Sequence, residues 1–75
     1  MTITTSADRA RAAGLDDREV LVLGMVAIGR TNAYIGEKLS LTEGSIDKIT
    51  RRIYSKLGVS GRVTAAGWWY GGPAV

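Results

Sequence analysis

Lys48, Arg51, Arg52 and Lys56 recur at spacings that set four cations, together with Ser55, along one side of a helix. On the other side Ile46, Ile49, Ile53 and Leu57 follow at intervals of three, four and four, the apolar stripe of a half-buried helix. Guanidinium and ammonium groups arrayed in this way hold polyanions. An arginine can also bridge guanine O6 and N7 with two parallel hydrogen bonds, whereas lysine more often holds phosphate. Just upstream, Ile35 and Leu39 lie four apart on one face of a shorter helix, and Ser40 to Thr42 leaves room only for a tight turn. Two helices meeting at such a turn, the second basic on its outer face, meet the requirements of major-groove binding to duplex DNA. On that reading Arg51 is expected on base edges, and Arg52 and Lys56 on the sugar-phosphate backbone.

The distribution of charge supports this reading more than its total does. The chain of 75 residues carries a formal charge of +3, but residues 1–42 hold five basic and five acidic side chains. The whole excess lies in residues 43–62, where Lys48, Arg51, Arg52, Lys56 and Arg62 face Glu43 and Asp47. A charge run alone is more often a solvated face; the turn beside it argues for a polyanion site. Arg62 is expected to pair with Glu19 or Asp17 rather than to touch DNA.

Other chemistries lack their residue types. Cysteine and histidine are absent, which removes disulfides, thiolate metal sites, the commonest zinc ligand and the commonest general base. No glycine-rich phosphate loop follows a strand, and Gly71-Gly72 reads as a chain end rather than a phosphate cradle. The expectation is a non-enzymatic domain with no cofactor and no metal. The longest apolar run, Val20 to Ile28, is interrupted by Gly24 and too short to span a bilayer, and residues 1–14 have no apolar core of signal-peptide type. A cytoplasmic protein, nucleoid-associated when bound, is therefore expected.

The elements that must position the cations follow from local signals. Ser6 is a candidate cap for an optional short helix through Asp8, Arg9 and Arg11, stopped by Gly14; a solvated tail is the other reading of residues 1–14, and Arg9 and Arg11 on a flexible arm touching phosphates a third. Asp16 and Glu19 form a D-x-x-E capping box, with Leu15 and Val20 as its hydrophobic staple, opening a scaffold helix that Gly29 ends. Thr31 caps a helix from Asn32 to about Leu39, in which Gly36 is expected to let another helix approach closely. Thr42 caps the basic helix, about 43–57, and Gly44 bares its first turn for phosphate. Gly58 is the left-handed cap, with Val59 folding back onto the core. Ser60 is expected to cap a last helix running to about Trp69. The fold class is thus all-α: a compact four-helix domain containing a helix-turn-helix, with an optional short extra N-terminal helix. It occupies residues 15–70, and residues 71–75 form a mobile end.

From Leu15 to Ala66 the chain resembles the LuxR-type (GerE-type) helix-turn-helix domain without a gap. The resemblance rests on Leu15, Arg18-Glu19, Leu23, Ala27-x-Gly29, Thr31-Asn32, Ile35, Leu39, Leu41-Thr42, Ser45-Ile46, Ile53, Lys56-Leu57-Gly58-Val59, Arg62 and Ala65. It implies a domain of bacterial or phage transcription regulation whose third helix enters the major groove and whose fourth mediates a homodimer on paired half-sites. Positions matching Asp47, Lys48, Arg51 and Arg52 contact bases and phosphates in that family, and those matching Thr42, Ser45 and Lys56 contact phosphates. Double-stranded DNA is the implied partner, with RNA polymerase or a regulator protein as further partners.

Several residues depart from the family pattern. Asp47 stands where the family usually has lysine; it either accepts from a cytosine amino group or weakens binding. Ile49 replaces a frequent histidine, and Leu21 and Tyr34 replace glutamates. Trp68, Trp69 and Tyr70, with Val63 and Ala66, form the candidate dimer or partner surface of the last helix. Adjacent tryptophans point about 100° apart on a helix, so both can hardly enter one small core. A second reading follows: a protein-interaction module on the same fold, using Leu21 and the Trp68-Trp69-Tyr70 end.

Overall fold

The computed structural model describes residues 5–71 as five α-helices: α1 (Ser6–Ala12), α2 (Asp17–Ala27), α3 (Asn32–Leu39), α4 (Glu43–Leu57) and α5 (Arg62–Gly71). The fold is all-α, as the periodicities require. Residues 72–75 of the expected mobile end lie outside the described residues. None of the helices is long and apolar enough to cross a membrane.

Helix α2 is the hub, packed against α5, α4 and α1, while α3 packs on α4. Its start is fixed twice. Asp16 accepts from the Glu19 N–H at 2.8 Å and Glu19 accepts from the Asp16 N–H at 2.9 Å, and Leu15 and Val20 are both buried beside that box. Val22, Leu23 and Val26 then enter a core completed by Ala10, Ile35, Ile46, Ile53 and Ala65. Gly29, at φ +86°, reverses the chain after α2, and the Arg30 N–H returns to the Met25 carbonyl at 3.0 Å.

Residues 6–12 form a docked helix rather than a solvated tail or a phosphate-binding arm, and residues 1–4 lie outside the described residues. Its cap is Thr5 rather than Ser6, because Asp8 at the third helical position completes a reciprocal box with Thr5. Ser6 is thereby released to donate its hydroxyl to the Trp69 carbonyl. Arg9 donates to the carbonyls of Trp68 at 3.2 Å and Trp69 at 2.7 Å, and its guanidinium lies 4.9 Å from the Trp68 ring centroid. Carbonyls in the last turn of a helix lack intrahelical donors, and α1 supplies them for α5. This also answers the tryptophan geometry. Trp68 and Trp69 both pack against the core, because α1 adds a second wall to it.

Gly36 corrects another expectation. A Cβ there would sit 2.5 Å from the Leu41 carbonyl oxygen, so the close neighbour is the backbone of the turn, not another helix. The same approach lets the Leu41 N–H reach the Gly36 carbonyl at 2.8 Å, with Ser40 left-handed at φ 58° between them. Gly36→Ala is expected to destabilise the domain by about 1–3 kcal/mol, the range of overpacking at a rigid site. Chemical denaturation will show this as a lower midpoint at unchanged m-value.

Two side chains near α5 are also placed differently. Ser60 lies 3.4 Å from the Thr64 hydroxyl instead of capping the helix, and the Gly61 N–H donates to Thr64 Oγ1 at 3.0 Å. Arg62 pairs with neither Glu19 nor Asp17. It donates to Asn32 Oδ1 at 3.0 Å and to the Arg30 carbonyl, tying α5 to the α2–α3 connection.

Candidate nucleic-acid interface

Turn and caps set the basic helix in place. Thr42 accepts from the Ser45 N–H at 3.1 Å and its hydroxyl donates to Ser45 Oγ at 3.0 Å, so two hydroxyls sit at the start of α4. Gly44 beside them meets nothing nearer than 3.9 Å where a side chain would begin, which leaves this first turn open. Ile46 and Ile53 anchor the helix in the core, with Ile49 and Leu57 half-buried. Thr50, absent from the apolar stripe read in the sequence, is buried between them. Its hydroxyl donates to the Asp47 carbonyl at 2.8 Å, which satisfies the polar group inside the helix. At the far end Gly58, at φ +69°, closes α4 and the Val59 N–H returns to the Tyr54 carbonyl at 3.0 Å.

The cations of α4 divide into three groups. Lys48 and Arg52 are exposed and make no ion pair among the described residues. Arg52 borders a cleft that it shares with Ile49 and the start of α2. Arg51 is 77% exposed, and its Nε lies 3.0 Å from Oδ2 of Asp47 one turn earlier. An exposed pair of this spacing contributes only about 0.3–0.5 kcal/mol to the helix, so its effect is on orientation more than on stability.

Lys56 is engaged inward. Its Nζ donates to Glu19 Oε1 at 2.8 Å and to the Gly14 carbonyl at 3.0 Å. Glu19 is a buried carboxylate at 2% exposure, and its Oε2 has no hydrogen-bond partner among the described residues. The structure thus joins Thr42, Ser45, Asp47, Lys48, Arg51 and Arg52 on one outer surface and turns Lys56 toward the scaffold. Two cues to that contact were present in the sequence, a glutamate in a capping box and a lysine in the last turn of α4. Their pairing across 37 residues was not.

On α5, Val63 is 86% exposed and Tyr70 66% exposed, with Ala66 half-buried between them. Of the aromatic cluster only Tyr70 faces outward; Leu21 on α2 is exposed as well.

A capped helix, a turn fixed by glycine and an outward basic helix anchored in a small core define a helix-turn-helix module. The family model for "Bacterial regulatory proteins, luxR family" matches residues 13–69, and the chain belongs to that family. It is similar to the "DNA-binding transcriptional activator DevR/DosR" of Mycobacterium tuberculosis (strain ATCC 25618 / H37Rv), 36% identical over 53 residues that cover 71% of this chain and 24% of that protein. It is also similar to the "Transcriptional regulatory protein LnrK" of Bacillus subtilis (strain 168), 42% identical over 52 residues, 69% of this chain and 24% of that protein. The chain spans about a quarter of the length of these curated relatives. No solved structure gives a significant match.

Proposed function

We propose that this chain is a transcriptional regulator that binds duplex DNA sequence-specifically, with α4 in the major groove. The observation that carries the reading is the outer face of α4, where Lys48, Arg51 and Arg52 stand exposed while the opposite face is locked into the core. One of the relatives is described as DNA-binding and both as transcriptional regulators or activators. Arg51 reads a base edge. Lys48 and Arg52 hold the flanking phosphates, with the Thr42 and Ser45 hydroxyls at the open first turn. Lys56 serves the site indirectly, by fixing the end of α4 to α2.

The active unit is a homodimer formed through α5, whose exposed Val63 and Tyr70 lie on one helical face. It acts in the cytoplasm by occupying an operator or by contacting RNA polymerase. Selection of bound duplexes from a randomised library at near-physiological salt tests both parts. A two-fold symmetric motif is expected, and absence of any enriched motif from folded protein would sink the proposal. Val63→Glu is expected to abolish the dimer in sedimentation and to leave only half-site binding. A dimer that survives this change would place the interface elsewhere.

A further inference from the structure

An acid on a DNA-reading surface ordinarily counts against binding, and Asp47 sits in the middle of this one. Its geometry suggests a more specific role. The Asp47 carboxylate lies one turn before Arg51, the favourable order for an acid and a base on a helix, and its Oδ2 is 3.0 Å from Arg51 Nε. The contact is an ion pair beside Nε, which biases where the planar guanidinium lies while the two terminal nitrogens stay available. Arg51 makes no other polar side-chain contact among the described residues, and at 77% exposure nothing else restrains it. Beneath the pair, buried Thr50 donates its hydroxyl to the Asp47 carbonyl within the same turn.

We propose that Asp47 is a specificity-determining positioning residue: it holds Arg51 so that its terminal nitrogens address guanine O6 and N7 end-on, while its own Oδ1 stays open to the amino group of a neighbouring cytosine or adenine. This rests on the reading of α4 as the DNA-facing helix. The pair then reads a short step, a guanine through Arg51 and an amino-bearing base through Asp47. The two effects of Asp47 have opposite signs. Its charge repels phosphate on every sequence, whereas its hold on Arg51 favours one base at one position.

The test uses the full chain and a duplex enriched from a randomised library, with single-base variants of it, for wild type, Asp47→Ala, Asp47→Asn, Arg51→Ala and the double variant Asp47→Ala/Arg51→Ala. Asp47→Ala is expected to tighten binding to unrelated duplexes while reducing discrimination at the guanine by about twofold, the factor that an exposed pair of this spacing supplies. Asp47→Asn, which keeps shape and loses charge, is expected to fall between. In the Arg51→Ala background, removing Asp47 is expected to leave base preference at that guanine unchanged. Unchanged guanine preference in Asp47→Ala, with affinity raised equally on all duplexes, overturns the positioning role and leaves the DNA reading standing. Arg51→Ala that binds every duplex like the wild type overturns both, because α4 is then not the reading helix.

Discussion

Replacing Arg51 and Arg52 together with alanine is expected to weaken DNA binding and relax its base preference at one position without unfolding the domain. Loss of a base contact from Arg51 should reduce affinity for the preferred duplex by about 1–3 kcal/mol and relax preference at a single position. Loss of Arg52 should weaken all duplexes nearly equally and lower the salt slope of binding by about one. The two effects are distinguishable because one depends on sequence and the other on ionic strength. Both side chains are exposed on α4 and anchor no core residue, so stability should change by no more than about 0.5 kcal/mol. Binding isotherms at several salt concentrations, with thermal melts of the same samples, will check this. A double variant that binds DNA like the wild type would remove α4 from the interface.

Lys56→Met is expected to do the reverse, with a large loss of stability and little direct effect on DNA. The substitution keeps an apolar stem but removes the cation facing Glu19, a carboxylate exposed by only 2%. Glu19 would retain the Asp16 N–H on Oε1, while its Oε2 already lacks a partner among the described residues. Removing one member of a buried pair leaves an uncompensated charge, and a loss of about 3 kcal/mol is expected, the lower end of the usual range because Lys56 is itself partly exposed. Combining it with Glu19→Gln should recover part of that loss, since the stranded charge disappears while an acceptor for the Asp16 N–H remains. Denaturation of the four proteins in the cycle gives the coupling directly. If Lys56→Met is instead as stable as the wild type but loses affinity on every duplex, Lys56 is a phosphate contact and the inward pairing is incidental.

These two expectations divide where sequence and structure divide. The basic face of α4 was legible because helical periodicity is a local property. Once Ile46, Ile49, Ile53 and Leu57 point inward, Lys48, Arg51 and Arg52 have to point outward. The caps at Asp16, Thr31 and Thr42 and the glycine at Gly58 were legible for the same reason, since each acts within about one helical turn. Membership of the family was legible because its motif residues lie in register over a continuous stretch.

What the sequence left open depended on partners distant along the chain. Arg9 reads locally as a cation on a polar tail, but it closes carbonyls of α5 about 60 residues away, and only that docking lets two adjacent tryptophans share one core. Lys56 reads locally as a phosphate contact and Arg62 as a cation in search of an acid. The packing of α2 against α4 gave Glu19 to Lys56, and Arg62 found Asn32 and a backbone carbonyl instead. Gly36 marked a close approach in the sequence, yet only the path of the turn identifies the approaching atom as the Leu41 carbonyl oxygen. Periodicity and capping chemistry determined that this chain makes helices and presents a basic one. Which polar groups that helix spends on holding the fold, and which it leaves free for a ligand, was decided by tertiary packing, because a charge's partner is whichever group the fold brings within hydrogen-bonding distance.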